Sequence, residues 1–207
     1  MRHRIVARSR HARTDLRASI AAMSFALAAL IGLAFGAADQ YLGTLSWLGP
    51  WTSTVAQVSA PWLIVPFLVG MTEERPRRAM ALGLTATVAA LFGYFAMTYS
   101  PMEIHPWSLD RFVSGFTAVA SSGYNPAYIV GGLVTAPLFG WLGQRWRTRR
   151  DLVAAGLVVA ALCLEPLARL ATGQIPYQGR IVWPIEITIG VLIGAVLVAW
   201  PRRRAAT

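Results

Sequence analysis

The stretch LVAAGLVVAALCLEPLARLA, residues 152–171, decides the fold of this chain. It is apolar except at Glu165 and Arg169, which lie on either side of Pro166. A helix needs about 20 apolar residues to cross the hydrocarbon core of a bilayer, so this stretch predicts a membrane-spanning helix. It also raises the question of why a membrane span should carry a carboxylate, a proline and a guanidinium.

The rest of the chain has the same apolar character. Of its 207 residues, 56% are hydrophobic and only 14% are charged, whereas soluble domains usually carry about 25% charged residues. Six apolar runs of spanning length lie near residues 18–38, 53–71, 79–99, 124–144, 152–171 and 181–200. We therefore predict an all-α polytopic transmembrane bundle, with one six-helix membrane domain at 18–201 between basic cytoplasmic tails at 1–17 and 202–207. Residues 42–52 would fit an interfacial helix before the second run.

The arginines are distributed unevenly among the connections. Of the 19 basic residues, 16 fall in the two tails and in the links at 72–78 and 145–151. The alternate links hold only Arg111 and Arg180. Because cytoplasmic loops are enriched in Lys and Arg, this alternation predicts six spans in the cell membrane, with both termini in the cytoplasm.

Several classes of function have no support in the sequence. Cys163 is the only cysteine, so neither an intramolecular disulfide nor a cysteine metal site is expected, and the three histidines lack zinc-ligand spacing. No nucleotide-binding, hydrolase or metalloprotease motif occurs, which argues against an enzyme and against a cofactor. The net charge of +10 does not indicate nucleic-acid binding, because the arginines lie in short clusters between apolar runs.

Small residues recur every four positions in the first and fourth spans. Ala22 and Ala26 form such a pair, and Gly132, Ala136 and Gly140 form a longer series. Small residues on one helix face allow another backbone to approach closely. Two uses stay open for these faces, namely packing within the bundle and, for Ala22 and Ala26, docking of a partner membrane subunit.

Glu165, Arg169 and Glu186 are the charged residues that lie deepest in the predicted spans. At about 1.5 Å per residue, Glu165 lies roughly 21 Å along the fifth span, about 9 Å below the outer surface of the bilayer core. Arg169 lies one turn further out on the same face. Glu186 lies about 8 Å into the sixth span from the outer side. The three groups are therefore predicted at nearly the same depth, with one negative charge in excess.

Three interpretations of these charges stay open. Ionisable residues inside a membrane usually face the bundle interior and pair with one another. The first interpretation is a structural ion pair of Glu165 with Arg169. The second is a polar pocket, open to the outside, that holds a ligand or a transferable proton. The third is a pair of catalytic acids.

The leading hypothesis is that the protein binds or transports a small solute through an outward-facing polar pocket. The candidate ligand-binding residues are Glu165, Arg169, Glu186, Asp39, Gln57, Asn125 and Trp183. The alternative is a non-catalytic membrane scaffold or accessory subunit whose ion pair is structural. The amphipathic stretch DRFVSGFTAV at 110–119 is predicted to cover the pocket as a lid.

Three stretches resemble a family of six-span actinobacterial membrane proteins of unknown function. They are GAADQYLGTL at 36–45, TVAQVSAPWLIVPFLVG at 54–70 and IVWPIEITIGVLIG at 181–194. The family carries a small-Pro-Trp step after a short outer segment and an acidic residue near an aromatic one at the start of the last span. The matching positions here are Pro61, Trp62, Trp183 and Glu186.

In size and span count the chain is also similar to the substrate-capture subunits of energy-coupling-factor vitamin transporters. That resemblance implies an outward-facing pocket. It also implies a partner membrane subunit that docks on an Ala-x-x-x-Ala motif near the cytoplasmic end of the first helix. Ala22 and Ala26 lie in the matching place.

Overall fold

The computed structural model describes residues 2–98, 108–123, 125–173 and 179–200. Within these ranges the chain forms eight α-helices and no β-strand, so the prediction of an all-α fold is confirmed. The helices are α1 (Arg2–Thr44), α2 (Trp51–Val55), α3 (Ala60–Gly70), α4 (Pro76–Thr98), α5 (Leu109–Ala120), α6 (Asn125–Arg149), α7 (Leu152–Ala171) and α8 (Gly179–Ala199).

Five of the described helices are long and apolar enough to cross a membrane. Their spanning portions are Ser19–Thr44, Pro76–Thr98, Pro126–Arg149, Leu152–Ala171 and Arg180–Ala199. These portions match the first, third, fourth, fifth and sixth predicted spans. The backbone of α1 is already helical from Arg2, through the segment predicted as an N-terminal tail, whereas the predicted tail at 202–207 lies outside the described residues.

The second predicted span is not one continuous helix, so the prediction of six spanning helices is not confirmed. Residues 53–71 are divided between the five-residue helix α2 and the 11-residue helix α3. At about 1.5 Å per residue, α3 is only roughly 16 Å long, about half the thickness of the bilayer core. Pro61 has no N–H to donate to the carbonyl of Gln57. It therefore suits the first turn of a new helix and not the interior of a long one.

The helices α1 and α4 pack closely and run in the same direction. Gly32 lies against the backbone of Ala86, and Gly36 lies one turn further along against the backbone of Ala90. A Cβ on either glycine would overlap the carbonyl oxygen of the facing alanine, so only glycine permits this approach. Because the two helices are parallel, the chain must return along the bundle between them, and α2 and α3 make this return.

The small-residue face predicted in the fourth span is used for packing within the bundle. Gly140 of α6 lies against the backbone of Ala79 in α4 and of Gly70 in α3. Ala136, one turn earlier on the same face, is 1% exposed, and Gly132 faces α4 one turn before that. The helix α3 is therefore packed closely against α6, while Leu68 on its other side stays exposed.

One end of the bundle carries the described arginine clusters, and we call it the Arg-rich end. It is formed by the starts of α4 and α7 and by the end of α6. There Arg147 donates to the carbonyl of Met71 at 2.8 Å. Asp151 caps α7 by accepting from the N–H of Val153 at 2.9 Å, and it also accepts from Arg145. The hydrogen bond from Arg145 holds the pKa of the Asp151 carboxyl below its usual value, so Asp151 stays ionised.

Candidate functional site

A cavity of about 1010 Å³ lies between the helices at the end of the bundle opposite to the Arg-rich end. Its walls come from the later parts of α1, α4 and α7, the first part of α6, and the segment around the break between α2 and α3. Its polar lining includes Asp39, Gln57, Thr87, Tyr94, Thr135 and Arg169. Pockets of about 300–1,000 Å³ hold drug-sized molecules, so this cavity has room for a small organic solute.

One wall of the cavity combines a carboxylate with aromatic rings. The indole N–H of Trp62 donates to a carboxylate oxygen of Asp39 at 3.3 Å. The Trp62 ring also meets Phe35 and Tyr94 edge to face, with ring centroids 5.4 Å and 5.9 Å away. These three contacts fix the orientation of the indole ring. The carboxylate of Asp39 therefore lines the cavity beside an aromatic ring that is held in place.

Glu165 explains the break between α2 and α3. Its two carboxylate oxygens accept hydrogen bonds from the backbone N–H groups of Ser59 and Ala60, at 2.7 Å and 2.6 Å. These N–H groups stand at the start of α3, where no carbonyl of a preceding turn is available. A negative charge is also favoured at a helix N-terminus. The carboxylate of α7 therefore takes the place of a missing helical turn.

Arg169 completes this arrangement from the next turn of α7. Its guanidinium forms an ion pair with Glu165 at 2.8 Å, and it also donates to the carbonyl of Gln57 and to the hydroxyl of Ser59. The side chains of both charged residues are largely buried, at 14% and 11% exposed. We call Glu165 and Arg169 together the clasp, because they hold the interrupted segment at 56–59 in place.

Glu186 lies beside the clasp. The helices α7 and α8 are antiparallel, and Cys163 lies against Ile187 and Gly190, so Glu186 is level with Glu165. Glu186 is only 6% exposed, and neither of its carboxylate oxygens has a hydrogen-bond partner within the described part of the chain. The predicted equal depth of the two carboxylates agrees with this geometry.

The predicted site residues have different places in the structure. Asp39, Gln57 and Arg169 line the cavity. Neither Glu165 nor Glu186 is among the described lining residues, and the carboxylate of Glu165 is turned to the start of α3. Trp183 is half-buried in the first turns of α8, away from the cavity lining, and the side chain of Asn125 lies outside the described part of the structure.

Part of the cavity wall was not predicted. Thr87 and Tyr94 lie seven residues apart on α4, and Tyr128 and Thr135 have the same spacing on α6. Seven residues are about two helical turns, so each pair lies on one face of its helix. Hydroxyl groups with this spacing in apolar spans are the signal by which this wall could have been found.

The amphipathic stretch predicted as a lid forms α5. Its residues Phe112 and Phe116 pack on Phe92 and Phe95 of α4, with ring centroids 5.3 Å and 4.6 Å apart. No described residue of α5 lines the cavity, although Phe95 does. In this structure α5 therefore supports the wall of the cavity from outside, and its role as a lid is not confirmed.

These features define a class of protein: a multi-pass α-helical membrane protein with a cavity of polar and apolar side chains at one end of the bundle. The chain belongs to DUF6518, a family of unknown function, whose model matches residues 15–207. This match confirms the resemblance to a family of unknown function that the sequence indicated. No curated protein and no solved structure matches the chain. The actinobacterial source and the similarity to energy-coupling-factor subunits stay predictions.

Proposed function

We propose that the protein binds a small solute in this cavity and takes part in its transport across the cytoplasmic membrane. The observation that carries the proposal is the set of polar side chains from α1, α4, α6 and α7 that converge on one cavity inside an apolar bundle. Polar groups inside a membrane are costly, and they usually mark a ligand or ion pathway.

The proposed orientation has the Arg-rich end in the cytoplasm and the cavity open to the outside. The positive-inside rule supports it, because the arginines cluster at one end. The parallel packing of α1 and α4 supports six crossings of the chain, in which α2 and α3 together form an interrupted second crossing. Both termini are then on the cytoplasmic side.

The interrupted crossing borders the cavity, which also supports a role in solute binding. Gln57 and Ser59, from the break, are part of the cavity lining. Irregular backbone is tolerated at membrane depth only where it is buried in protein or lines a water-filled cavity. In many transporters such breaks border the substrate site.

A scaffold or accessory subunit is the second candidate function. Two observations favour it: the clasp is satisfied by groups of the chain itself, and Ala22 and Ala26 are exposed on α1. In this alternative a partner membrane subunit docks on these alanines, and the cavity has no ligand. Solute binding distinguishes the two candidates.

Gly131→Trp is expected to fill part of the cavity and to abolish stabilisation of the protein by a bound solute. Gly131 lines the cavity, and nothing lies within 4 Å of the position that its Cβ would take. The measurement is thermal unfolding of the purified protein with small cations, anions, zwitterions and neutral molecules. A solute at about 100 times its Kd would stabilise the wild type by about 2.7 kcal/mol.

Gly156→Trp is the matched control for this experiment. Gly156 on α7 also has nothing within 4 Å of its Cβ position, but it does not line the cavity. At least one class of solute should raise the melting temperature of the wild type and of Gly156→Trp, but not that of Gly131→Trp. The proposal is wrong if no solute stabilises the wild type, or if Gly131→Trp responds as strongly as the control.

A further inference from the structure

We propose that the cavity selects an organic cation, held by the carboxylate of Asp39 and by the aromatic rings of Trp62 and Tyr94. This inference rests on the proposed function, because it names the chemical class of the solute that the cavity takes. It follows from the charges of the lining residues and from the position of the aromatic rings.

The charge balance of the cavity favours a cation. Among the described lining residues Arg169 carries the positive charge, but this charge is already paired with Glu165 at 2.8 Å. Asp39 takes part in none of the three ion pairs found in the described part of the chain. Its hydrogen bond from the neutral indole of Trp62 does not compensate its charge. A cationic solute would supply the missing counter-charge.

The aromatic residues of the cavity lining suit the same class of solute. Trp62, Tyr94, Phe95 and Tyr128 all line the cavity. The face of an aromatic ring attracts a cation, most strongly for tryptophan, and aromatic side chains are the usual partners of quaternary ammonium groups. The fixed orientation of the Trp62 ring means that little freedom is lost when the cation binds.

An anionic solute fits the cavity less well. It would need the guanidinium of Arg169, whose Nε and Nη2 already donate to Glu165, Gln57 and Ser59. Binding an anion there would loosen the clasp that holds the start of α3. The anion would also approach the carboxylate of Asp39. Repulsion between the two negative charges would weaken its binding.

Choline is the probe that tests the inference, with its neutral carbon isostere as the comparison. The isostere has the same shape, but a carbon atom replaces the quaternary nitrogen. Isothermal titration of the purified full-length protein should give an affinity for choline at least about tenfold higher than for the isostere. Equal affinities would overturn the inference, because shape and not charge would then determine binding.

Asp39→Asn is expected to weaken choline binding by at least about tenfold, since it removes the counter-charge and keeps the size of the side chain. Asp110→Asn is the matched control, because Asp110 is exposed on α5 and does not line the cavity. Choline should bind this control as it binds the wild type. Unchanged affinity in Asp39→Asn would overturn the inference.

The tryptophan variants keep the test decisive if Asp39→Asn does not fold. Trp62→Leu should weaken choline binding by about tenfold, whereas Trp62→Phe keeps an aromatic face and should lose less. Equal losses in the two variants would count against the inference.

The failure of this inference differs from the failure of the proposed function. If choline does not bind, but another class of solute binds the wild type and not Gly131→Trp, the cavity is a binding site of another chemistry. The inference is then wrong and the proposed function stands. If no class of solute binds, both are wrong.

Discussion

Glu165→Gln is expected to lower the free energy of unfolding by about 3–5 kcal/mol, the usual cost of removing one partner of a buried ion pair. The carboxylate accepts from two backbone N–H groups and pairs with Arg169. An amide has one acceptor oxygen, so its NH2 group would face one of these donors. The guanidinium would at the same time lose its counter-charge in a largely buried place.

The measurement is chemical unfolding of the purified protein in detergent micelles, with Glu186→Gln as the control. Glu186 is at the same level of the bundle and is even less exposed, but its oxygens have no hydrogen-bond partner among the described residues. Its replacement removes no hydrogen bond found among the described residues, so we expect a change within about 1 kcal/mol. An equal loss in both variants would contradict the role assigned to the clasp.

Gly36→Val is expected to disrupt the packing of α1 on α4 and to destabilise the protein by about 3 kcal/mol or more. The Cβ would overlap the carbonyl oxygen of Ala90, and the neighbouring pair of Gly32 and Ala86 is equally close. A flexible side chain can rotate away from a new methyl group, but the backbone of a helix cannot shift at one residue alone. The two helices would therefore have to separate.

The same unfolding measurement tests this prediction, with Gly156→Val as its control. Both glycines lie within spanning helices, but nothing is within 4 Å of the Cβ position at Gly156. The control should unfold as the wild type does, or slightly later, because valine is a better helix former than glycine. Wild-type stability in Gly36→Val would mean that α1 and α4 do not pack as described.

Hydropathy was sufficient to predict the long helices but not the break in the second predicted span. The run at 53–71 has the composition of a spanning helix. The break depends on hydrogen bonds from Ser59 and Ala60 to a residue more than 100 positions away, at 165. Pro61 was a local sign of a helix start, but a proline inside a membrane helix often produces only a kink. The long-range partner decides between these outcomes.

The relative level of the two carboxylates could be predicted from the sequence, whereas the direction of their side chains could not. A fixed rise per residue determines how far Glu165 and Glu186 lie along their helices, so their equal level could be predicted. The rotation of each helix about its axis depends on packing against its neighbours. For this reason Glu165 was assigned to the pocket, whereas its side chain reaches α3. Asp39, Gln57 and Arg169 do line the cavity.

We propose that the cavity opens to the outside of the cell. Thiol labelling is the most direct test of this proposal. Cys163 is the only cysteine, so replacing it with serine gives a background without thiols. Two cysteine variants are made in this background, Thr135→Cys and Val134→Cys. Thr135 lines the cavity, roughly 15 Å along α6 from its first residue. Val134 is the preceding residue, and its side chain is 67% exposed on the apolar surface of the bundle.

A charged, membrane-impermeant methanethiosulfonate reagent is added to intact cells from outside. We expect it to label Thr135→Cys and not Val134→Cys, because the reagent follows water into the cavity and does not enter lipid. Labelling of neither position from outside, or labelling of Thr135→Cys only from the Arg-rich side, would contradict the account of an outward-facing cavity.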